Sequence, residues 1–296
     1  MDHYLPAVHR ALAFMEENLT APITLERIAR RAGFSLWHFQ RIFSAYTNES
    51  LAGYLRRRRL TVAVLAIRNT GRSILDIALD HQFESHAAFT RAFKAMMQAT
   101  PSSFRRVRPA PSNRSAVLPH SPSTSTPMKP TSQSLPALTL LGLEARFIGP
   151  MSPDANNHKV IPPLFGRFFA RKPELPPALD ACTYGVTRAA PRSSRTREDE
   201  LVYLVSQSVK PRRRAPAGMT IWRLPAQSYA IFVHRGPVVR IDDTLKEIYG
   251  SWLPHSAYEP VGEGSIERYD ERFSDGGPKA EFDILIPVRA RAKKRA

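Results

Sequence analysis

From Pro109 to Pro136 this chain of 296 residues becomes rich in Pro, Ser and Thr, as in Ser121-Pro-Ser-Thr-Ser-Thr-Pro127, and poor in large apolar side chains. Such a stretch buries too little surface to offset its conformational entropy, which predicts a flexible linker over residues 109–136. The apolar rhythm differs on its two sides, so two domains of different class follow. Over residues 1–108 the spacing is helical almost throughout and Gly is confined to Gly33, Gly53 and Gly71, which predicts an all-α domain. Over residues 137–290 short apolar or alternating runs predict strands at 139–148, 201–209, 219–224, 229–234 and 282–288. Helices are expected at 157–170, interrupted by Pro162-Pro163, and at 238–252, just after the helix-start Pro237. The second domain is therefore expected to be α+β, with a basic tail at 291–296.

The first domain repeats itself. Ile28-Ala29, a three-residue step and Gly33-Phe34 recur 49 positions later as Ile77-Ala78, a three-residue step and Gln82-Phe83. Arg41 and Phe43 then recur 50 positions later as Arg91 and Phe93, as a one-residue insertion near Glu84-Ser85 would produce. Two copies of a helix-turn-helix pattern on one small domain predict a DNA-reading regulator, since a pair of such motifs arises by chance far less often than one. The charge agrees. Lys and Arg number 43 against 26 Asp and Glu, a formal net charge of +17, and residues 1–110 alone hold 16 basic against 8 acidic side chains. This favours a polyanionic partner, double-stranded DNA here.

In the first reading helix Leu36, Phe39 and Phe43 form the buried stripe, Ser35 is placed as N-cap, and Trp37, Gln40, Arg41 and Ser44 occupy another face. An exposed Trp beside Gln and Arg suits a major-groove reader: Gln pairs with adenine, Arg with guanine, and the indole meets thymine methyls. In the second, Phe89, Phe93 and Met96 or Met97 are buried, and His86, Thr90, Arg91 and Lys94 face outward. Ala87 and Ala88 leave few hydrogen-bonding groups, so this helix is expected to read bases less stringently and to anchor more through phosphates. A connecting helix over residues 51–68 spans about 27 Å, near the repeat of duplex DNA. It carries Arg56, Arg57, Arg58 and Arg59, of which Arg56 and Arg57 are the candidate phosphate clamps.

The segments Trp37-His38-Phe39-Gln40-Arg41-Ile42-Phe43, Gly53 to Leu60, Ile74-Leu75-Asp76-Ile77-Ala78 and Phe89-Thr90-Arg91-Ala92-Phe93-Lys94, followed by Pro101, resemble the AraC/XylS family of transcription regulators, most of all its MarA/SoxS/Rob branch. The resemblance spans roughly residues 5–106. It implies base-reading or groove-lining roles for Trp37, Gln40 and Arg41, a second reader containing Thr90 and Arg91, activation of transcription, and RNA polymerase as a partner. The second half is similar to the GyrI-like effector-binding domain through His234-Arg235-Gly236-Pro237, Ile248 to Pro254, Glu267 to Phe273 and Phe282 to Pro287. That likeness implies two β-α-β-β halves and a cleft for an aromatic or cationic small-molecule effector. Asp283 or Glu267 would neutralise the ligand's charge while Tyr203, Trp222 or Tyr229 stacks on it.

No phosphate-binding Gly loop, nucleophile elbow or Cys/His metal spacing is present and the nine histidines are dispersed, so neither an enzyme nor a metal or cofactor site is expected. Two alternatives stay open for the second half: control by protein docking, and weak hydrolysis of a reactive small molecule. Cys182 is the only cysteine and reads as a small apolar filler, in keeping with a reducing compartment. With no apolar run long enough to span a membrane and no secretory start, a cytoplasmic location is expected. Arg212-Arg213-Arg214 and the C-terminal tail read most simply as solvated charge runs.

Overall fold

Two turns of one geometry organise the helical half of the computed structural model, which describes residues 2–107, 119, 128–152, 154–191 and 199–291. After α1 (Leu5–Glu17), α2 (Leu25–Ala32) buries Ile28 and Ala29 and ends on Gly33 at φ 92°, a left-handed conformation that glycine adopts at no steric cost. The Phe34 N–H closes the turn on the Ala29 carbonyl at 3.0 Å, and α3 (Leu36–Thr47) follows. The connector α4 (Leu51–Asn69) leads to α5 (Ile74–Asp80), which buries Ile77 and Ala78, and the Phe83 N–H closes the same turn on the Ala78 carbonyl at 3.0 Å. Here Gln82 takes the left-handed position at φ 62°. That conformation costs a side-chain-bearing residue about 1–2 kcal/mol, and the Gln82 amide offsets part of it by donating to the Thr20 carbonyl at 2.8 Å. The extra residue expected near Glu84 precedes α6 (His86–Met97), after which α3 and α6 correspond at an offset of 50, down to left-handed caps at Asn48 and Gln98.

Each copy has its own aromatic chain. Phe34, Phe39, Phe43 and Tyr54 follow one another at 6.3, 6.0 and 5.5 Å between ring centroids, and Phe83, Phe89, Phe93 and Phe104 at 5.0, 5.7 and 5.5 Å. Phe104 comes from α7 (Pro101–Val107), which with Leu60, Ala63, Val64 and Ile67 of α4 completes the core of the second copy.

Five residues of the expected linker are instead a strand, β1 (Thr131–Leu135), whose side chains stay largely exposed while its backbone pairs with another strand. Composition missed it because ladder hydrogen bonds, not burial, hold it. Residues 109–118, 120–127 and 292–296 lie outside the described residues. Beyond β1 the chain runs through β2 (Leu138–Ile148), α8 (Asn157–Arg171), β3 (Thr183–Ala189), β4 (Glu200–Ser208), β5 (Thr220–Leu224) and β6 (Gln227–Arg235). It continues through α9 (Ile241–Glu247), a π-helical turn over Ile248–Trp252 and a last turn Leu253–His255 into β7 (Tyr258–Pro260), β8 (Gly264–Tyr269) and β9 (Glu281–Ala290). Pro162 and Pro163 do not interrupt α8: both sit on its exposed side, while Leu164 and Phe168 anchor the other side in the core.

The strand order β1-β6-β9-β8-β3-β4-β2-β5, with β7 on β9, resolves into two β-α-β-β halves, β2-α8-β3-β4 and β6-α9-β8-β9. They meet where β3 and β8 pair antiparallel, with Gly185 opposite Glu267. Only Pro136-Ala137 joins β1 to β2, and only Pro225-Ala226 joins β5 to β6, although the joined strands stand at opposite ends of that order. Three Cα steps reach at most about 11 Å, so the sheet must curl until its ends approach. Inside the curl lie Leu140, Tyr184, Leu204, Trp222, Tyr229, Ile266 and Leu285. On the other face Leu141, Leu143, Phe147, Tyr203 and Val205 pack against Leu164 and Phe168 of α8. No helix among the described residues is long and apolar enough to cross a membrane.

Candidate DNA-reading face and ligand cleft

The two reading helices differ in how much they display. On α6, His86, Arg91 and Lys94 are exposed, Phe89 and Phe93 are buried, and Thr90 is half-buried. On α3, Trp37 is not exposed as expected but only 3% accessible, and Ser44 is buried as well. The Arg41 guanidinium lies 3.7 Å from the indole centroid and donates to the Trp37 carbonyl at 2.9 Å, so the two side chains stack along the helix instead of projecting separately. Gln40 is half-buried beside them.

Ser35 holds the N-cap position of α3 without making the cap hydrogen bond, and its hydroxyl is buried with no partner among the described residues. Its counterpart Ser85 does cap α6, accepting from the Ala88 N–H at 3.1 Å. Ser85→Ala is therefore expected to cost about 1 kcal/mol and Ser35→Ala distinctly less, read from urea unfolding of the two variants. Equal losses would contradict the difference between the two caps.

The arginine run on α4 is mostly committed to the domain itself. Arg57 forms a bidentate pair with Glu49, Nη2 to Oε2 at 2.9 Å and Nε to Oε1 at 3.0 Å, and packs over the Tyr54 ring. Arg58 pairs with Glu16 at 2.8 Å, and Arg59 donates to the carbonyls of Leu19 and Ala21. Arg56 points to solvent. Of the two candidate clamps, Arg56 is the one whose head is not held by another side chain among the described residues.

In the C-terminal half, strand alternation splits the five expected ligand residues between two faces. Tyr203 and Glu267 share the helix-covered face, whereas Trp222 and Tyr229 lie inside the curl and Asp283 points to that side too. Asp283 is buried between two guanidinium groups, Arg268 at 2.6 Å and Arg272 at 2.9 Å, so its charge is already neutralised. The expectation that it would serve a ligand fails for this reason. Trp222 donates its indole N–H to Glu144 at 2.9 Å and carries Arg188 over its ring at 3.6 Å, and Tyr229 is packed into the same core.

Around Glu267 the structure assembles a different set. Both Tyr203 and Tyr269 donate their hydroxyls to Glu267 Oε2, the latter at 2.6 Å, while Oε1 accepts no hydrogen bond among the described residues. Gly185, directly across on β3, makes this convergence possible, because a Cβ there would fall 1.9 Å from Tyr203 Oη and 2.9 Å from Glu267 Oε2. Phe165 of α8 stands edge-on to Tyr269 at 5.5 Å, and Phe273 and Phe282 back the same ring at 4.7 and 4.8 Å.

Part of Glu267 remains accessible, yet its carboxyl is enclosed, and burial pushes its pKa above the usual carboxylate range. The two tyrosine hydroxyls pull the other way, and the negative charge of Asp242 on α9 adds to the rise. Burial beside that acid raises both tyrosine pKa values, which keeps the hydroxyls as donors. Sequence reasoning missed Tyr269, Gly185, Phe165 and Asp242. The signal available for Tyr269 was its place two residues from Glu267, on the same face of any strand.

A model of the helix-turn-helix domain matches residues 28–107, and one of the GyrI-like small molecule binding domain matches residues 128–289, more than half the chain. The transcriptional regulator Rob of Salmonella typhimurium is 28% identical over 302 residues, covering 94% of this chain and 96% of its own. The transposon Tn10 TetD protein of Escherichia coli is 45% identical over 95 residues, 32% of this chain and 69% of its own. The regulatory protein SoxS of Escherichia coli strain K12 is 36% identical over 94 residues, 32% of this chain and 88% of its own. Likeness to Rob runs through both domains, and likeness to TetD and SoxS is concentrated in about a third of the chain. The repeated turn-and-helix geometry and the paired β-α-β-β halves carry the same assignment: this chain belongs to the AraC/XylS family of DNA-binding transcription regulators, in its MarA/SoxS/Rob-type branch, with a GyrI-like small molecule binding domain behind its double helix-turn-helix.

Proposed function

We propose that this protein is a cytoplasmic transcription activator that reads two successive major grooves with α3 and α6, contacts RNA polymerase as its branch of the family implies, and is modulated by an aromatic or cationic small molecule held at Glu267. The observation that supports the DNA reading most directly is the orphaned chemistry on the reading helices. Ser35 Oγ, Trp37 Nε1 and Thr90 Oγ1, all on residues expected at the DNA, are buried polar atoms with no partner among the described residues. Leaving such groups unpaired costs about 1–3 kcal/mol each, which contacts with DNA would recover. On binding, Arg41 would leave the Trp37 carbonyl for a base edge, while Gln40, His86, Thr90 and Arg91 read or line the groove and Arg56 meets phosphate, with Arg57 oriented by Glu49. Oε1 of Glu267, which accepts no hydrogen bond among the described residues and stands beside the Phe165 and Tyr269 rings, supports the ligand reading.

Selection of bound sites from a random duplex pool tests the DNA half. An asymmetric motif with two half-sites about one helical turn apart is expected. Binding that tracks salt alone, with no motif, would sink the two-groove reading. On the selected site, Arg41→Ala should relax preference at one base position, costing about 1–3 kcal/mol of discrimination. Arg56→Ala should instead weaken all sequences alike and lower the salt slope by about 0.9. Equal loss of discrimination from both would refute these roles.

A further inference from the structure

From the end of β4 into β5, residues 209–223 carry Lys210, Arg212, Arg213 and Arg214 on the connecting loop and Arg223 on β5, and no acidic residue. The loop is pinned in shape. Arg223 donates to the Arg212 carbonyl at 2.8 Å, Arg171 of α8 donates to the Ala217 carbonyl at 2.9 Å, and Pro211 and Pro216 restrict the backbone. Elsewhere on this domain five arginines are matched to carboxylates, Arg146 to Glu200, Arg171 to Glu174, Arg235 to Glu281, Arg240 to Asp243 and Arg289 to Glu259, while the exposed Arg167 and Arg188 stand apart from one another on α8 and β3. Among the described residues none of the five cations of residues 209–223 has an ion-pair partner, and Arg212 Nε is buried without a hydrogen bond.

This segment gathers like charges, against their mutual repulsion, where α8 and β5 hold it in place. We propose that this basic loop is a second DNA-contacting surface, in which the ligand-binding domain grips the phosphate backbone of the duplex that the helix-turn-helix domain reads. Phosphate is the chemistry that exposed, unpaired guanidinium groups match, through bidentate hydrogen bonds that need no base sequence. Duplex DNA is favoured over other polyanions because the neighbouring domain already brings it onto the same chain. A weak surface gains from that tether through an effective concentration in the millimolar range.

The test uses the full chain and a duplex carrying its selected site with ten or more flanking base pairs on each side. The affinity of the wild type and of Arg213→Ala/Arg214→Ala is measured across salt concentrations. Loss of two phosphate contacts should reduce the slope of log K against log salt by about 1.8 and weaken binding at low salt, with the selected motif unchanged. Trimming the flanks should weaken the wild type but not the variant. As a control for net charge alone, Arg235→Ala/Arg240→Ala removes two positive charges from paired positions on the same domain, and the slope should stay at the wild-type value. An unchanged slope in the loop variant, as a loop serving an acidic protein would give, overturns the proposal. So does an equal drop in the control. Loss of the selected motif in the loop variant would place the effect in the helix-turn-helix domain and would also overturn it. Arg213→Lys/Arg214→Lys, which keeps the charge, should restore most of the slope.

Discussion

Glu267→Gln is expected to weaken binding of an aromatic monocation to the full-length protein by about 2 kcal/mol or more, roughly thirtyfold, while leaving an uncharged ligand of the same shape nearly unaffected. Titration with N-methylquinolinium and with 1-methylnaphthalene makes the comparison. The substitution keeps an oxygen that can accept from Tyr203 and Tyr269, so the aromatic surroundings survive and only the charge is removed. Equal losses for both ligands would mean that Glu267 supports the packing and does not recognise the cation.

The same carboxyl sets a pH dependence whose sign follows from its environment. Burial raises its folded-state pKa above the ordinary value of 4.5. Between the ordinary and the raised value the native state therefore holds more protons than the unfolded chain, and stability falls as pH rises through that window. A bound cation favours the ionised form and reverses the penalty, so ligand binding should release a proton there. Affinity for the cation should fall as pH drops through the raised value, starting at a higher pH than an exposed carboxylate would show, and the Gln variant should lose this dependence. A flat pH profile in the wild type would argue against Glu267 as the ligand's counter-ion.

The helical half was almost fully legible because its information is local and duplicated. The offset shift from 49 to 50 marked an insertion that the structure places after the Phe83 turn, and the buried Phe stripes of α3 and α6 lie where their spacing requires. Burial of Trp37 was not legible, since it depends on the Arg41 side chain folding back along its own helix. In the second half the strands rich in apolar residues, β2, β4, β5, β6 and β9, announce themselves. The central pair β3 and β8 does not, because Gly185, Arg188, Glu267 and Arg268 dilute a pattern already only six or seven residues long. Those two strands bring Gly185, Glu267 and Tyr269 together. Alternation along one strand also cannot say which face of a curled sheet is core and which is covered by helices. Asp283 and Glu267 looked interchangeable as ligand acids for that reason, although one is spent on Arg268 and Arg272 and Oε1 of the other accepts no hydrogen bond among the described residues.

Gly185→Ala should then be among the most damaging small substitutions in the second domain, with an expected loss of about 2–6 kcal/mol in domain stability. Its Cβ would meet the hydroxyl and ring carbon of a tyrosine that is only 1% accessible and is flanked by Phe147 and Phe165, so the ring has nowhere to swing. Overpacking of this kind costs about 1–3 kcal/mol. Pushing the hydroxyl off Glu267 leaves buried polar groups unpaired at about 1–3 kcal/mol more. Because the nearest atom struck is the hydroxyl oxygen at 1.9 Å, Tyr203→Phe removes the worst contact, leaving the ring carbon at 2.7 Å and Glu267 Oε2 at 2.9 Å. Denaturant unfolding of the two single variants and the double variant should therefore be non-additive, with the double more stable than the sum of the singles by 1 kcal/mol or more, within the usual range for contacting residues. Strict additivity would mean that the strand shifts away instead of the tyrosine yielding. The glycine would then be required by the backbone of β3 and not by the hydrogen bonds that converge on Glu267.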